Sequence, residues 1–426
     1  MPALGFRAPA LSLVRSAQPT AQTALRAHLV GPAQRMAAGE TTHTGNSRKY
    51  GAWDGCLLFR AGGSSPLAEW TDEQGFFALV ERIPAKQEEQ MSSIAIHGFG
   101  RIGRTALKAA LLKGLWVPVS ISDIRDPATF AAVFEVDSNY GRWREPVAAV
   151  ADSLTVGGRR IEYVNTAGGL PDWGALGVDL VVDCTGRAVT RAGAQAHIDR
   201  GARRVLVSAP SATLADCDAV LLAGINLDSF DPERHRIVSM ASCTTNALAP
   251  VIAVMRERFG IETGFFSTVH AYTNSQSLTD QPMKDRRDSW AATENIIPSS
   301  SGAARALQFI WSDLHVTGKA YRVPVRTGSI AEVNLIVRRP TNPDEVRDAF
   351  RKAASEEPLK GVMDVLEEGW ASSRIVGDDH SSIVDLPLVA VQEATLVSVA
   401  AWYDNEWGFA TRLAEVAAYL ARPATA

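Results

Sequence analysis

Ser242-Cys243-Thr244-Thr245-Asn246 sets a cysteine among hydroxyl side chains, and His270 follows twenty-seven residues later, at the end of the run Phe265-Phe266-Ser267-Thr268-Val269-His270. A cysteine and a histidine that the fold can bring together are a nucleophile and its base. The thiolate is the reactive form, and its pKa of about 8.5 falls where the cysteine opens a helix or faces an imidazolium. Leu248, Val251, Ile252, Met255 and Phe259 recur at helical spacing, so the elements that must do the positioning are a helix beginning at Cys243 and a strand ending at His270. Ser242 is then the N-cap, Cys243 sits at the positive end of the helix dipole, and a lowered thiol pKa is expected. The competing reading is a buried structural cysteine and a structural histidine.

A second segment favours the reactive reading. Ser93-Ile94-Ala95-Ile96-His97 is a short apolar strand that runs into Gly98-Phe99-Gly100-Arg101-Ile102-Gly103, followed by helical spacing at Leu107, Ala110, Leu111 and Leu115. Asp123 lies twenty residues beyond Gly103. Strand, Gly-x-Gly-x-x-Gly turn, helix and distal acid together form a dinucleotide fingerprint: the glycines allow a tight turn and close approach, the helix start takes the pyrophosphate, and the acid takes a ribose hydroxyl. Asp123 favours NAD because a carboxylate there repels a 2′-phosphate, whereas Arg125 keeps NADP open.

With 46% hydrophobic and 21% charged residues and a net charge of −4, the composition is that of a globular protein. The charge excludes dedicated nucleic-acid binding, and no apolar run reaches the roughly eighteen residues of a membrane span. Cys56, Cys184, Cys217 and Cys243 show no paired spacing, which points to free thiols in a reducing, cytoplasmic setting and to neither disulfides nor metal. The expected fold class is α/β: a Rossmann-type doubly wound parallel sheet over 91–242, completed by a C-terminal helix within 406–426, and a mixed α+β catalytic domain over 243–405. In the latter, strands are expected near 262–271, 319–325 and 328–337 and a helix near 342–354.

From about Ser92 to about Ala421 the chain resembles a phosphorylating glyceraldehyde-3-phosphate dehydrogenase. The matching segments, in family order, are Gly98 to Arg104, Cys184-Thr185-Gly186-Arg187, Ser208-Ala209-Pro210, Ser242 to Asn246, His270-Ala271-Tyr272-Thr273-Asn274, Asn295-Ile296-Ile297-Pro298, Arg322-Val323-Pro324 and Trp402-Tyr403-Asp404-Asn405-Glu406-Trp407-Gly408. The resemblance implies NAD as cofactor, a thioester on Cys243 with His270 as base, and a homotetramer whose S-shaped loop spans roughly 272–302. It implies that Gly98, Phe99, Gly100, Arg101, Ile102, Gly103, Asp123, Thr185, Gly186, Ser208 and Asn405 hold the cofactor. Thr273 and Arg322 correspond to the site for the phosphate of the aldehyde, Thr244, Ser301 and Gly302 to that for the attacking inorganic phosphate, and Ser242 to substrate or phosphate binding. A related aldehyde such as erythrose 4-phosphate, use of arsenate, or a nucleotide-binding paralogue of weak activity are the alternatives.

The chain departs from the family pattern at four places. Asp288 stands where an arginine is usual between the two phosphate sites, so either Arg286 or Arg287 swings in and the site still handles a phosphorylated aldehyde, or the substrate differs from glyceraldehyde 3-phosphate. A phosphorylated substrate is the preferred expectation. His97 and Met240 stand where asparagines are usual, and Ala247 where a second cysteine often lies, which leaves Cys243 without a neighbouring thiol for a protective disulfide. Residues 1–90 lie outside the enzyme pattern. The first 39 lack Asp and Glu but carry Arg7, Arg15, Arg26 and Arg35, as a transit peptide would. The preferred expectation is a disordered or mis-annotated extension with the true start near Met91, and a short helix over 68–84 at most.

Overall fold

The computed structural model describes residues 92–422. The extension, with the helix expected over 68–84, lies outside the described residues, as does Cys56.

The first sheet has nine strands, in the order Ala219–Val220, Ile237–Ser239, Arg204–Val207, Leu180–Asp183, Ile94–His97, Ser120–Asp123, Arg159–Asn165, Ser153–Val156 and Val147–Val150. The first seven pair in parallel, and the last two add an antiparallel edge that the all-parallel expectation lacked. Its central strands are buried on every residue, as expected for a sheet covered on both faces. The helix Arg101–Leu112 follows the first strand, and the chain's last helix, Trp407–Leu420, packs against it through Leu107, Ala110, Leu413 and Val416. Trp116 Nε1 donates to Ala414 O at 2.8 Å.

The second sheet is mixed, with seven strands ordered Ile297–Ser300, Val316–Val323, Ile261–Ala271, Ser329–Val337, Leu396–Tyr403, Ser382–Asp385 and Met363–Leu366, and Ala390–Gln392 added beside Leu396–Tyr403. Along Ser329–Val337 one face is buried at every second residue, while Glu332, Asn334 and Ile336 of the other face are exposed. The helix Pro343–Ser355 stands within a residue of its expected place.

Between the sheets runs the helix Cys243–Phe259. Its sequence spacing predicts one buried stripe, yet Ala247, Leu248, Ala249, Val251, Ile252 and Val254 are all buried. The reason is its position: Val205 and Val207 of the first sheet and Val333 and Val399 of the second share one core with Leu248 and Ile252. The helix start is thereby held from two sides.

Candidate active site

The loop before this helix is shaped to present Cys243. Ala241 takes a left-handed conformation (φ 56°), and its N–H donates to Ser239 Oγ at 3.0 Å. Asn246 Nδ2 donates back to Met240 O and Ser242 O at 3.0 and 2.9 Å. Ser242 Oγ accepts from Thr245 N at 3.1 Å, which is the N-cap its sequence position predicts. Cys243 is therefore the first helical residue, and its Sγ lies 3.3 Å from His270 Nε2. His270 is placed by a parallel ladder: its direct neighbour across the sheet is Arg322, whose Nη1 lies 2.6 Å from His270 Nδ1 and 3.3 Å from Ala271 O. The same Nδ1 is 2.7 Å from Ala271 O. Behind the pair, Tyr403 Oη joins Thr244 Oγ1 at 3.0 Å and Thr268 Oγ1 at 2.8 Å, and its ring meets the His270 ring edge to face.

The electrostatics differ from the sequence expectation. Burial pushes the Cys243 thiol up, and the Arg322 charge with the hydroxyl and N–H of Thr244 only partly offset it. Burial and Arg322 together pull His270 down to about 3. Desolvation opposes charge on both groups and so works against the helix start, which alone predicts a thiolate.

A cavity of about 550 Å³ opens above Cys243, and Ser208, Ser242, His270, Thr273, Gln276 and Asn405 are among its walls. Asn405 Oδ1 accepts from Ser329 Oγ at 2.9 Å and Thr327 Oγ1 at 3.4 Å, so its amide nitrogen is left for a ligand in the cavity. Arg101, Ile102 and Asn274 are shared with a second cavity of about 570 Å³, whose walls include Gly98, Gly100, Asp123, Thr185 and Arg187. Here glycine is required for different reasons at different positions. Gly98 has φ +88°, and a Cβ on Gly103 would lie 2.2 Å from Gly98 O, whereas a Cβ on Gly100 would meet no protein atom within 4 Å and would fill the cavity itself. That open cradle at a helix start fits a pyrophosphate. Asp123 Oδ2 accepts from Phe99 N at 2.7 Å, tying the acid to the glycine turn, and Thr185 N and Oγ1 both donate to Asp183 Oδ1. The Arg101 side chain is committed to Asp137 and Glu406, leaving its N–H at the helix start as the group available to a ligand.

Comparison with known proteins decides the family. Residues 92–191 match the family model described as glyceraldehyde 3-phosphate dehydrogenase, NAD binding domain, and 242–405 that of the C-terminal domain. The glyceraldehyde-3-phosphate dehydrogenase of Kitasatospora aureofaciens is 45% identical over 336 residues, 78% of this chain and 99% of that protein. That of Streptomyces coelicolor is 42% identical over 332 residues (77% and 98%), and glyceraldehyde-3-phosphate dehydrogenase 2 of Bacillus subtilis 39% over 332 (77% and 96%). The chain belongs to the glyceraldehyde-3-phosphate dehydrogenase family. Its first sheet is the family's NAD-binding domain, in agreement with the glycine fingerprint.

Within this dehydrogenase the structure groups the sequence-selected residues unequally. Cys243, His270, Ser208, Ser242, Thr273 and Asn405 share one cavity; Thr244 and Arg322 form a layer behind it; Ser301 and Gly302 stand at the start of the helix Ala303–Ile310, outside its walls. Gly186 (φ +68°) turns the chain after Thr185. Neither Arg286 nor Arg287 swings in: both are exposed and line a separate surface cavity with Trp290. Asp288 instead accepts from Gln276 Nε2 at 3.1 Å, and Gln276 Oε1 accepts from both N and Oγ1 of Thr273 at 3.0 and 3.1 Å. Gln276, Tyr403 and Thr268 are the residues that sequence reasoning passed over. Thr268 had a signal, since it lies two residues before His270 on a strand and so shares its face.

His97 replaces its asparagine in a buried cluster. Its Nδ1 lies 2.8 Å from Ser122 Oγ, and burial holds the ring down to about 4. Ligand atoms of His97, Asp183 and His197 fall within 4.8 Å of one another, but Trp173 donates to His197 Nδ1, which puts the His197 proton on Nε2 towards Asp183 and leaves no lone pair for a metal. Met240 is fully buried in the core of the first sheet, and Ala247 is likewise buried. Among the described residues Cys184, Cys217 and Cys243 are free, and burial pushes the first two up as well.

Proposed function

We propose that this chain oxidises glyceraldehyde 3-phosphate with NAD and inorganic phosphate to 1,3-bisphosphoglycerate, through a thioester on Cys243. The observation that carries the proposal is the 3.3 Å approach of Cys243 Sγ to His270 Nε2 at a helix start that faces the cavity. His270 takes the thiol proton as the sulfur bonds to the aldehyde carbon, and the oxygen charge that develops is held by the imidazolium and by N–H groups of the first helical turn. NAD, when bound, accepts the hydride that leaves this carbon. Asn405 would hold the nicotinamide carboxamide through its free amide nitrogen. The imidazolium first gives its proton to the alkoxide oxygen, and His270 takes that hydroxyl proton back as the hydride leaves and the thioester forms. Inorganic phosphate then attacks the thioester carbon, and the C–S bond breaks to return the thiolate.

Gly98 to Gly103, Asp123, Thr185, Gly186 and Ser208 are assigned to the cofactor, and Asp123 favours NAD over NADP. Thr273 and Arg322 are assigned to the aldehyde's phosphate, Thr244, Ser301 and Gly302 to the attacking phosphate, and Ser242 to substrate or phosphate binding. The chain is assigned a first domain over 91–242 and a second over 243–405, with 406–426 returning to the first, a division supported by the two separate sheets and by the packing of Trp407–Leu420 on Arg101–Leu112. A homotetramer is supported by exposed apolar residues on the open face of the second sheet, Phe265, Val269 and Ile336, and by Trp290 and Ile296 in the loop over 272–302. Among the described residues no helix is long and apolar enough to cross a membrane, and a cytoplasmic setting suits the free thiols.

The test is NADH formation from glyceraldehyde 3-phosphate and NAD, with and without phosphate, and with arsenate in its place. Turnover that requires either oxyanion is the expected result. A folded, NAD-binding protein that gives none removes the assignment.

A further inference from the structure

Two guanidinium groups stand on the walls of the cavity above Cys243, those of Arg101 and Arg326, and their charges are spent very differently. Arg101 is gripped by two carboxylates: Nε donates to Glu406 Oε1 at 2.8 Å, Nη1 to Asp137 Oδ2 at 3.0 Å and Nη2 to Asp137 Oδ1 at 3.2 Å. Asp404 stands close by, since Tyr140 Oη lies 2.9 Å from Asp404 Oδ1 and 3.4 Å from Glu406 Oε2. It is buried, and among the described residues its donors are hydroxyl and N–H groups, with no cation. One positive charge thus faces three carboxylates at the start of the helix Arg101–Leu112. The same helix start, uncapped by any side chain, is the place assigned to the pyrophosphate. Its N–H groups and a helix dipole worth about half a charge are a weak match for a dianion among those carboxylates.

Arg326 carries the charge that this end of the site lacks. Among the described residues it pairs with no carboxylate, and its one side-chain hydrogen bond runs from Nη1 to Ser138 O at 2.8 Å, which leaves the other N–H donors of the guanidinium open. That bond also fixes where the charge lies. Ser138 sits between Asp137, which holds Arg101, and Asn139, whose Nδ2 donates to Glu406 Oε2 at 3.0 Å, so the Arg326 head stands at the Arg101 end of the cavity. At the other end of the side chain, the neighbouring Thr327 donates to Asp404 Oδ1 at 2.7 Å and supports Asn405, so the Arg326 backbone is anchored beside the residue assigned to the nicotinamide. Arg187 is no substitute, because it lines only the second cavity, together with Asp123 and Asp183. We propose that Arg326 reaches across from the second sheet to bind phosphate oxygens of the cofactor's pyrophosphate. The glycine turn then supplies shape and N–H groups, and Arg326 supplies charge through charge-assisted bonds. The proposal rests on the assignment of Gly98 to Gly103 to the cofactor.

The experiment titrates the full chain, Arg326→Gln and Arg326→Lys calorimetrically with NAD and with ADP-ribose, which keeps the pyrophosphate and lacks the nicotinamide. In Arg326→Gln both dissociation constants are expected to rise about tenfold and by the same factor, and Arg326→Lys should recover most of the loss. Salt supplies a readout that a purely structural role does not move. Between about 0.02 M and about 0.5 M salt the affinity of the wild type for ADP-ribose should fall more steeply than that of Arg326→Gln, because the variant has lost a screened charge contact. A residue that merely ties Ser138 to the second sheet leaves the two slopes equal, and equal slopes overturn the proposal. The other source of a phosphate group is the aldehyde. A rise in KM for glyceraldehyde 3-phosphate at saturating NAD, with ADP-ribose binding as in the wild type, gives Arg326 to the substrate and also overturns the proposal. Both results leave the wild type's NAD site and its turnover standing, whereas a folded wild-type chain that binds neither NAD nor ADP-ribose removes the cradle assignment as well.

Discussion

The end of the site proposed for the cofactor and the end proposed for the aldehyde are built from different materials. Around Gly98 to Gly103 the shape is made by main chain: a left-handed glycine, a helix packed on a glycine, and an open cradle at the helix start. Around Thr273 it is made by side chains in series, Asp288 holding Gln276 and Gln276 holding Thr273, with Arg322 and His270 alongside. A main-chain site fails sharply when one atom is added, because backbone has nowhere to go. A side-chain site fails by degrees, because each member passes on only part of its neighbour's loss.

The sharpest break lies where the two ends meet. Cys243→Ser is expected to lower kcat by more than about a thousandfold without altering NAD affinity, measured by turnover and by NAD titration. Because burial raises the thiol and holds His270 near 3, the acid limb of kcat/KM in the unsubstituted chain should not lie at the usual histidine value. The ring stays neutral, and so competent as a base, down to about pH 3, and a titration near 6.5 assignable to His270 would contradict this placement.

At the cofactor end, two alanines sharpen the contrast. Gly103→Ala puts a Cβ 2.2 Å from Gly98 O and should cost stability as well as NAD affinity, by about 3 kcal/mol in denaturant unfolding. Gly100→Ala meets no protein atom within 4 Å, so unfolding should be unchanged while the NAD dissociation constant rises by about a hundredfold. Equal stability losses in both would mean that the glycines serve the fold alone. Asn405→Asp retains an acceptor for Ser329 and Thr327 but removes the free amide donor, and kcat/KM for NAD should fall about thirtyfold with little change in thermal stability.

The same contrast explains what could be read from the sequence. Glycine spacing is a statement about backbone, and the Gly98–Gly103 turn, its strand and its helix stand where that spacing puts them. The Ser242 cap and the Cys243 helix were equally legible because capping is local. The all-round burial of that helix was not, since it depends on two sheets that its own residues do not encode. The raised Cys243 thiol followed from the same burial. At the aldehyde end, Asp288 was visible as a charge of the wrong sign, but its partner Gln276 lies twelve residues away across a loop and carries no periodic signal. The antiparallel edge over Val147–Val150 and Ser153–Val156 escaped for a related reason: two four-residue strands look alike in either direction.

Asp288 offers the smallest and most discriminating break. Read as a charge beside an anion site, it should repel the substrate, and Asp288→Ala should lower KM for glyceraldehyde 3-phosphate. Read as the anchor of Gln276, it should do the reverse. Gln276 is buried, Thr273 N–H fixes its amide orientation, and without the carboxylate its Nε2 has no acceptor. Thr273 would then lose a support while keeping its own hydroxyl, so KM should rise about threefold to tenfold with kcat unchanged. Asp288→Asn retains an acceptor and sheds the charge, and it should match or slightly improve on the wild type. Unphosphorylated glyceraldehyde, which does not reach Thr273, should respond to neither. A lower KM in both variants would make Asp288 an electrostatic residue after all, and the series from Asp288 to Thr273 a packing detail.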